Sequence, residues 1–266
     1  MRESDLHLDR ATGRAGAAGA RPNLPVALAN ERHIWSLSAS ATAALLVVPI
    51  GVVGTGLALA AAAPDTFFAL TKEDAVVETT QVGALLIAAG AGGILVRGLA
   101  AAGMRWQAAL TALAVLTVVG VAGEEISWGQ RILGVATPAA FDSINVQGET
   151  NIHNIGALEL LVRLGQTGVA GLLVAIPLLA LVLRRAFASV DRLLIPPLVL
   201  APWFAPLAIY WLIRLILDPD ETIWRFSEVP ELTLYVGLAL LALLHLRRVR
   251  PSPAGAREPM RGRPAG

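Results

Sequence analysis

Residues 106–131, WQAALTALAVLTVVGVAGEEISWGQR, join a long apolar run to an abrupt cluster of polar side chains. An α-helix needs about twenty predominantly apolar residues to cross the roughly 30 Å hydrocarbon core of a bilayer. The stretch therefore predicts a transmembrane helix that ends in Glu124, Glu125 and the polar motif after them.

The composition of the whole chain extends this prediction. Of the 266 residues, 55% are hydrophobic and only 15% are charged, against roughly a quarter charged in soluble domains. Cysteine is absent, which excludes disulfides and thiolate metal sites. Further apolar segments lie near residues 34–63, 72–99, 168–183, 193–217 and 232–246. The sequence thus predicts an all-α integral membrane protein, a bundle of about six transmembrane helices.

The two ends of the chain differ from this apolar centre. Residues 1–33 are rich in Ala, Gly and Arg, and residues 248–266 are rich in Arg and Pro. Such segments bury too little apolar surface to fold. We expect a disordered cytoplasmic arm, a transmembrane domain over residues 34–247 and a disordered cytoplasmic tail. Residues 157–166, ALELLVRLGQ, are expected to form an interfacial helix before the fourth span.

Six crossings would put both termini on one side, and the basic residues test that arrangement. Sixteen of the 21 Lys and Arg residues lie in residues 1–33, 97–105, 184–192 and 247–263. Short loops rich in Lys and Arg stay cytoplasmic. We therefore expect a multi-pass protein of a bacterial cytoplasmic (inner) membrane with both termini in the cytoplasm.

Acidic residues gather on the opposite side, where 14 of the 20 would lie. These are Asp65, Glu73, Asp74, Glu78, Glu124, Glu125, Asp142, Glu149, Glu159, Asp218, Asp220, Glu221, Glu228 and Glu231. Asp and Glu contribute little to membrane orientation, so topology does not explain this asymmetry. The pattern predicts a polar site at the extracytoplasmic ends of the second, third, fourth and sixth helices.

The centre of this predicted site is the stretch 123–154, GEEISWGQRILGVATPAAFDSINVQGETNIHN. Its polar residues are Glu124, Glu125, Ser127, Trp128, Gln130, Arg131, Asn145, Gln147, Glu149, Asn151, His153 and Asn154. An ionised residue at the bilayer centre costs about 2.5–3.5 kcal/mol. We therefore expect an interfacial or re-entrant polar segment between helices three and four.

Helical spacing suggests roles for the acids. On a continuous helix, Glu124 shares a face with Trp128 and Arg131, which would allow a Glu–Arg pair. Glu125 is then the carboxylate left for general acid or base chemistry. Glu149 and His153, spaced i, i+4, would reach one point if their segment is helical.

Carboxylates with a neutral imidazole are a ligand set for a divalent zinc, iron or manganese ion. Glu124, Glu125, Glu149 and His153 are therefore candidate metal ligands, and the last three are also candidate catalytic residues. The spacing differs from the Glu-x-x-His pairs of di-metal bundles. A metal is thus one hypothesis beside a hydrogen-bonded plug, in which Asn145, Gln147, Asn151 and Asn154 tie the loop to helix ends.

Two other helix ends would extend the site. Asp74, Glu78 and Gln81 share one face of the second helix if it begins near Lys72. Glu228 and Glu231 lie just before the apolar run of the sixth helix. Glu73 and Asp74 also suit the positive end of a helix dipole, which is the structural alternative.

Two of these motifs carry a family resemblance. EEISWGQR, followed by the pattern N-x-Q-x-E-x-N-x-H-N, resembles a motif pair in uncharacterised bacterial polytopic membrane proteins. The KED opening of the second helix and the SE..E start of the sixth are similar as well, so the resemblance covers roughly residues 70–235. It implies a site in these motifs and carries no activity with it.

Three function classes follow from these patterns. The first is a metal-dependent membrane enzyme that acts on a lipid or lipid-linked substrate. The second is a proton- or cation-coupled transporter, although no inverted repeat relates residues 34–133 to residues 157–246. The third is a non-catalytic assembly subunit. The bilayer is the expected partner, and no nucleic acid is expected to bind.

Overall fold

The computed structural model describes residues 24–145, 148–152, 155–183, 186–216 and 226–249. This part of the chain consists of helices joined by turns and loops. The helices are α1 (Leu24–Ile34), α2 (Ala39–Ala62), α3 (Pro64–Thr71), α4 (Val76–Ala101), α5 (Arg105–Glu125), α6 (Gln130–Leu133), α7 (Ala139–Asp142), α8 (Gly156–Val182), α9 (Ala201–Ile216) and α10 (Glu228–Val249). Short 3-10 turns cover Ser127–Gly129, Arg192–Leu194 and Leu198–Leu200.

Among the described residues, five segments are long and apolar enough to cross a membrane: Ala39–Ala62, Pro64–Ala101, Arg105–Glu125, Leu160–Val182 and Glu228–Val249. The second combines α3 and α4. The apolar stretch Leu198–Arg214 is shorter. The prediction of an all-α multi-pass membrane protein is confirmed at this level.

Helix α10 is the centre of the bundle. It packs along α4 and α9, and α4 also packs along α5. Over an apolar stretch of 18 residues in each helix, the buried share is 56% in α10 and 11% in each of α2, α5 and α8. The outer helices therefore present apolar side chains outward, as a bilayer requires.

Close contact between α9 and α10 depends on Gly237. A Cβ at this position would lie 2.7 Å from a ring carbon of Phe204 and 2.9 Å from Cβ of Trp203. Small residues let membrane helices approach in this way. Trp203 also donates its indole N–H to the Leu45 carbonyl at 2.9 Å, which ties α9 to α2.

Two elements add detail to the predicted organisation. Residues 24–34 form helix α1, almost entirely within the predicted cytoplasmic arm, and residues 1–23 lie outside the described part. The Glu31 carboxylate of this helix accepts the backbone N–H of Leu198 at 2.9 Å. Residues 157–166, predicted as an interfacial helix, form the beginning of the continuous helix α8.

The third predicted helix ends at Glu125 because three consecutive residues adopt left-handed backbone angles. The φ values are 46° at Ser127, 55° at Trp128 and 79° at Gly129. Only Gly adopts this region without a steric cost. The predicted continuous helical face through Glu124, Trp128 and Arg131 is therefore wrong, and the chain turns away from α5 into the polar stretch.

Candidate functional site

Glu125 is held at the end of α5 by a tyrosine from α10. The Tyr235 hydroxyl donates to Glu125 Oε1 at 2.8 Å, and Gln166 Nε2 of α8 donates to the same hydroxyl oxygen at 3.2 Å. Tyr235 is buried. Three helices thus meet at one carboxylate through a chain of hydrogen bonds.

Gln81 connects α4 to the beginning of α10. Its Nε2 donates to the Glu228 carbonyl at 2.9 Å and lies 3.3 Å from Glu228 Oε2. The side chain is fully buried, and its Oε1 has no hydrogen-bond partner among the residues that the structure describes. Because buried amide oxygens normally accept a hydrogen bond, this atom is available to a donor within the site.

Glu78, Glu125, Glu228 and Glu231 form what we call the carboxylate cluster. Glu125 interacts electrostatically with Glu228 and Glu78, and Glu231 interacts with Glu228 and Glu125. All four side chains are partly buried. Like charges withdrawn from water repel one another strongly, so the cluster requires either protonation of some of its carboxylates or nearby positive charge.

Positive charge near the cluster comes from Arg163 of α8, which interacts with Glu231.

Two acids that precede α4 lie at the edge of the cluster. Glu73 lies within electrostatic range of Glu228 but is itself exposed. Asp74 is also exposed, and its backbone N–H donates to Glu78 Oε2 at 2.6 Å. Since α4 begins at Val76, Asp74 does not share a helix face with Gln81, and that prediction was wrong. Through its hydrogen bond from the Asp74 N–H, Glu78 also helps to fix the backbone just before α4.

The polar loop, residues 126–155, has a separate hydrogen-bond network of its own. Ser127 Oγ donates to Glu149 Oε2 at 2.5 Å. Asn151 Nδ2 donates to the same oxygen at 2.8 Å and lies 3.2 Å from Ser127 Oγ. All three residues are buried, so Glu149 is occupied in holding the loop together.

Asn145 closes this network. Its Nδ2 donates to the Asn151 carbonyl at 2.9 Å and to Asn151 Oδ1 at 2.7 Å, while its Oδ1 accepts the Glu149 N–H at 3.2 Å. A β-bridge pairs Asn145 with Ile155. For Asn145 and Asn151, the contacts are those expected of a hydrogen-bonded plug.

Glu124 fastens the loop to the end of α5, and Gln130 adds contacts within the loop. Gln130 Oε1 accepts the Thr150 N–H at 2.7 Å, and its Nε2 donates to the Thr137 hydroxyl. Glu124 accepts the Trp128 indole N–H at 2.6 Å and the Ile152 N–H at 2.5 Å. The ring of Trp128 is 56% exposed, as an interfacial anchor would be.

The structure does not bring the three acidic metal candidates together. Glu124 contacts Trp128, Glu125 contacts Tyr235, and Glu149 contacts Ser127. In the described ranges no group of three or more His, Cys, Asp and Glu side chains could hold a metal ion. Residues 148–152 are not helical, so the premise for pairing Glu149 with His153 does not hold.

Some predicted site residues lie outside the described part of the chain. They are Gln147, His153, Asn154 and the side chain of Arg131. The imidazole that the metal hypothesis depends on is therefore not located.

Three contributors to the site were not predicted: Tyr235, Gln166 and the role of Arg163. The sequence pattern could have indicated Tyr235, because Glu228, Glu231 and Tyr235 are spaced i, i+3, i+7 and share a helix face. Arg163 and Gln166 are likewise three residues apart. Each of these residues is a single polar side chain within an apolar segment, and a single residue has no spacing that would indicate a site.

No family model, curated protein or solved structure matches the chain.

Proposed function

We propose that this protein is a multi-pass membrane enzyme that acts on a lipid or lipid-linked substrate, with Glu125 as its general acid or base. The contact that carries this proposal is the 2.8 Å hydrogen bond from Tyr235 to Glu125 within the carboxylate cluster. Ionisable residues inside a membrane bundle are functional-site candidates by default, because their burial is expensive.

In this proposal the chain crosses the membrane six times, with α9 and the turn before it as the fifth crossing. Both termini are cytoplasmic, and the carboxylate cluster faces the extracytoplasmic surface of a bacterial inner membrane. The distribution of basic residues supports this orientation. Fusing a periplasm-dependent reporter to residue 145 and to residue 190 tests it, because only the first fusion should be active.

The apolar middle of α4 and α10 favours catalysis over transport. Residues 236–244 of α10, VGLALLALL, and residues 82–96 of α4, VGALLIAAGAGGILV, contain no titratable group. Nine helical residues span about 14 Å, too far for a direct proton transfer. The carboxylates therefore form a site open to one side of the membrane.

A proton- or cation-coupled transporter is the second candidate. The unpartnered Gln81 Oε1 beside Glu228 favours it, since amide and carboxylate oxygens are ligands of hard cations. Liposome flux driven by a proton or sodium gradient and lost in Gln81→Leu would support transport. Equal flux in both proteins would count against it.

The enzyme is tested by incubating reconstituted protein with a total bacterial lipid extract and following the lipids by mass spectrometry. We expect one lipid class to be converted by the wild type and not by Glu125→Gln. Asp65→Asn is the matched control, since Asp65 is an exposed acid in the first turn of α3. Conversion that survives Glu125→Gln would contradict the proposal.

The metal hypothesis is tested on the same preparations. Elemental analysis of the wild type and of His153→Ala should reveal a bound zinc, iron or manganese ion in the first and not the second if His153 is a ligand. A wild type without metal that still converts lipid would assign the chemistry to the carboxylates alone.

A further inference from the structure

Residues 132–136, ILGVA, form what we call the apolar segment of the polar loop. All five residues are exposed, and the side chains of Ile132 and Leu133 are 76% and 74% exposed. Single exposed apolar residues are common on proteins and need no explanation. A continuous exposed run of this kind is unusual unless it serves an interaction. The apolar segment therefore indicates an apolar partner.

The polar residues at both ends of the apolar segment turn toward the rest of the loop. Gln130 Oε1 accepts the Thr150 N–H at 2.7 Å, and its Nε2 donates to the Thr137 hydroxyl. Thr137 in turn donates its hydroxyl to the Gly148 carbonyl at 2.6 Å. The side chains that could bind water are thus engaged inside the loop. Between them, only apolar side chains point outward.

The apolar segment continues a surface that begins on the transmembrane helix α5. The ring of Trp128 lies against this helix, because a Cβ at Gly123 would come within 2.8 Å of ring carbon Cζ3. Leu133 lies next to that tryptophan, since a Cβ at Gly129 would be 3.9 Å from Leu133 Cδ1. Leu116, further along α5, is also exposed. Exposed apolar side chains therefore follow one another from a helix that faces lipid into the loop.

We propose that the apolar segment inserts into the bilayer leaflet that adjoins the ends of α5 and α8. The loop joins the ends of two membrane-spanning segments, Arg105–Glu125 and Leu160–Val182, so it begins and ends at the membrane surface. Residues 132–140, ILGVATPAA, contain no charged side chain whose desolvation would oppose insertion. Burial of the apolar side chains in lipid removes their surface from water. This inference goes beyond the proposed function and holds for any activity of the carboxylates.

The backbone limits how deeply the apolar segment can insert. Helix α6, Gln130–Leu133, has only four residues, so most of its backbone groups lack a partner within the helix. Gly134 and Val135 both donate their N–H to the Gln130 carbonyl. Irregular backbone is not tolerated in direct contact with the hydrocarbon core. We therefore expect the side chains to reach the boundary between headgroups and acyl chains, about 5–10 Å into the leaflet.

Site-directed spin labelling tests this position directly. The chain contains no cysteine, so Leu133→Cys accepts a single nitroxide label at an already exposed position. Leu116→Cys in α5 is the reference for lipid, and Asp142→Cys, at an exposed acid of α7, is the reference for water. Each full-length protein is reconstituted into liposomes of phosphatidylethanolamine and phosphatidylglycerol. Collisions of the label with oxygen, which partitions into lipid, and with a water-soluble nickel chelate are then measured.

The three possible surroundings of the apolar segment give different results. In lipid, the ratio of oxygen to nickel accessibility at Leu133→Cys should lie well above that of Asp142→Cys and below that of Leu116→Cys, as a shallow position requires. Nickel accessibility equal to that of Asp142→Cys would place the segment in water and overturn the inference. Low accessibility to both reagents would also overturn it, because a second copy or another part of this chain would then cover the segment.

A second set of variants tests which side chains cause the insertion. Combining Ile132→Ser and Leu133→Ser should shift a label at Val135→Cys toward the accessibility ratio of Asp142→Cys, because the remaining apolar surface is small. Ala139→Ser with Ala140→Ser is the matched control, since both alanines are exposed in the same loop but lie outside the apolar segment. It should leave the label at Val135→Cys unchanged. An equal ratio in both double variants would overturn the inference.

Discussion

The polar loop and the carboxylate cluster use the same residue types in opposite ways. In the loop, Glu149 is bound by Ser127 and Asn151, partners only 22 and 2 residues away in sequence. In the cluster, Glu125 is bound by Tyr235 across 110 residues, and Gln81 reaches Glu228 across 147. Polar groups that satisfy one another within one segment stabilise that segment. Carboxylates gathered from distant helices beside other carboxylates also accept hydrogen bonds, but their mutual repulsion and burial offset that gain.

This contrast predicts that activity and stability separate between the two regions. Glu125→Gln should lower lipid conversion by about a hundredfold or more, because general acid–base catalysis contributes roughly 10²–10⁴ in rate. The free energy of unfolding should stay about the same, since Gln has nearly the same shape and keeps a carbonyl oxygen that can accept the Tyr235 hydroxyl. Lipid conversion measured by mass spectrometry, together with SDS-induced unfolding, checks both parts. A variant that converts lipid normally but unfolds early would reverse the assignment.

Glu149→Gln should have its effect on stability. The carboxylate accepts hydrogen bonds from Ser127 and Asn151, and an amide in its place presents an N–H₂ group to one of these buried donors. We expect the free energy of unfolding to fall by about 3 kcal/mol, within the range for hydrogen bonds to charged groups. Unfolding followed by circular dichroism measures it. A stability equal to that of wild type would show that the loop network is dispensable.

Tyr235→Phe sharpens the comparison within the cluster, because it removes only a hydroxyl. Glu125 loses a donor and Gln166 loses an acceptor. We expect lipid conversion to fall about tenfold and the free energy of unfolding to fall by about 1 kcal/mol. Glu125→Gln combined with Tyr235→Phe should be no slower than Glu125→Gln alone, since the hydroxyl acts through the carboxylate. Additive losses would contradict that role.

Gly129→Ala is expected to change stability but not catalysis, and it tests the turn that separates the two regions. Its φ of 79° costs a residue with a Cβ about 1–2 kcal/mol. Gly120→Ala in α5 is the control, because a Cβ there meets nothing within 4 Å and Ala favours the helix. Thermal unfolding should separate the two variants in opposite directions from wild type. A Gly129→Ala protein as stable as the control would mean that the turn is not constrained.

Much of the fold could be predicted from hydropathy, since apolar runs of transmembrane length specify helices directly. The boundaries could not. The end of α5 at Glu125 depends on left-handed angles at Ser127 and Trp128, which neither residue type favours. The order of residues 24–34 depends on long-range contacts such as that between Glu31 and Leu198, which no local pattern contains.

For the site, the sequence gathered all the acids of the outer helix ends into one group: Glu73, Asp74, Glu78, Glu124, Glu125, Glu149, Glu228 and Glu231. The electrostatic contacts of the described residues link Glu78, Glu125, Glu228 and Glu231. The sequence did not indicate which acids belong together. Glu125 and Glu149 both stand in the polar stretch, and only their three-dimensional partners, Tyr235 and Ser127, assign them to different networks. Spacing arguments for Glu149 and Glu124 required helices that the chain does not form there.

The most direct test of this account measures lipid conversion and unfolding free energy side by side for Glu125→Gln and Glu149→Gln. We predict opposite effects for the two variants. Glu125→Gln should fold as stably as wild type but lose at least about a hundredfold in conversion. Glu149→Gln should lose about 3 kcal/mol of stability but retain conversion in proportion to its folded fraction. Loss of conversion in folded Glu149→Gln, with full conversion in Glu125→Gln, would contradict it.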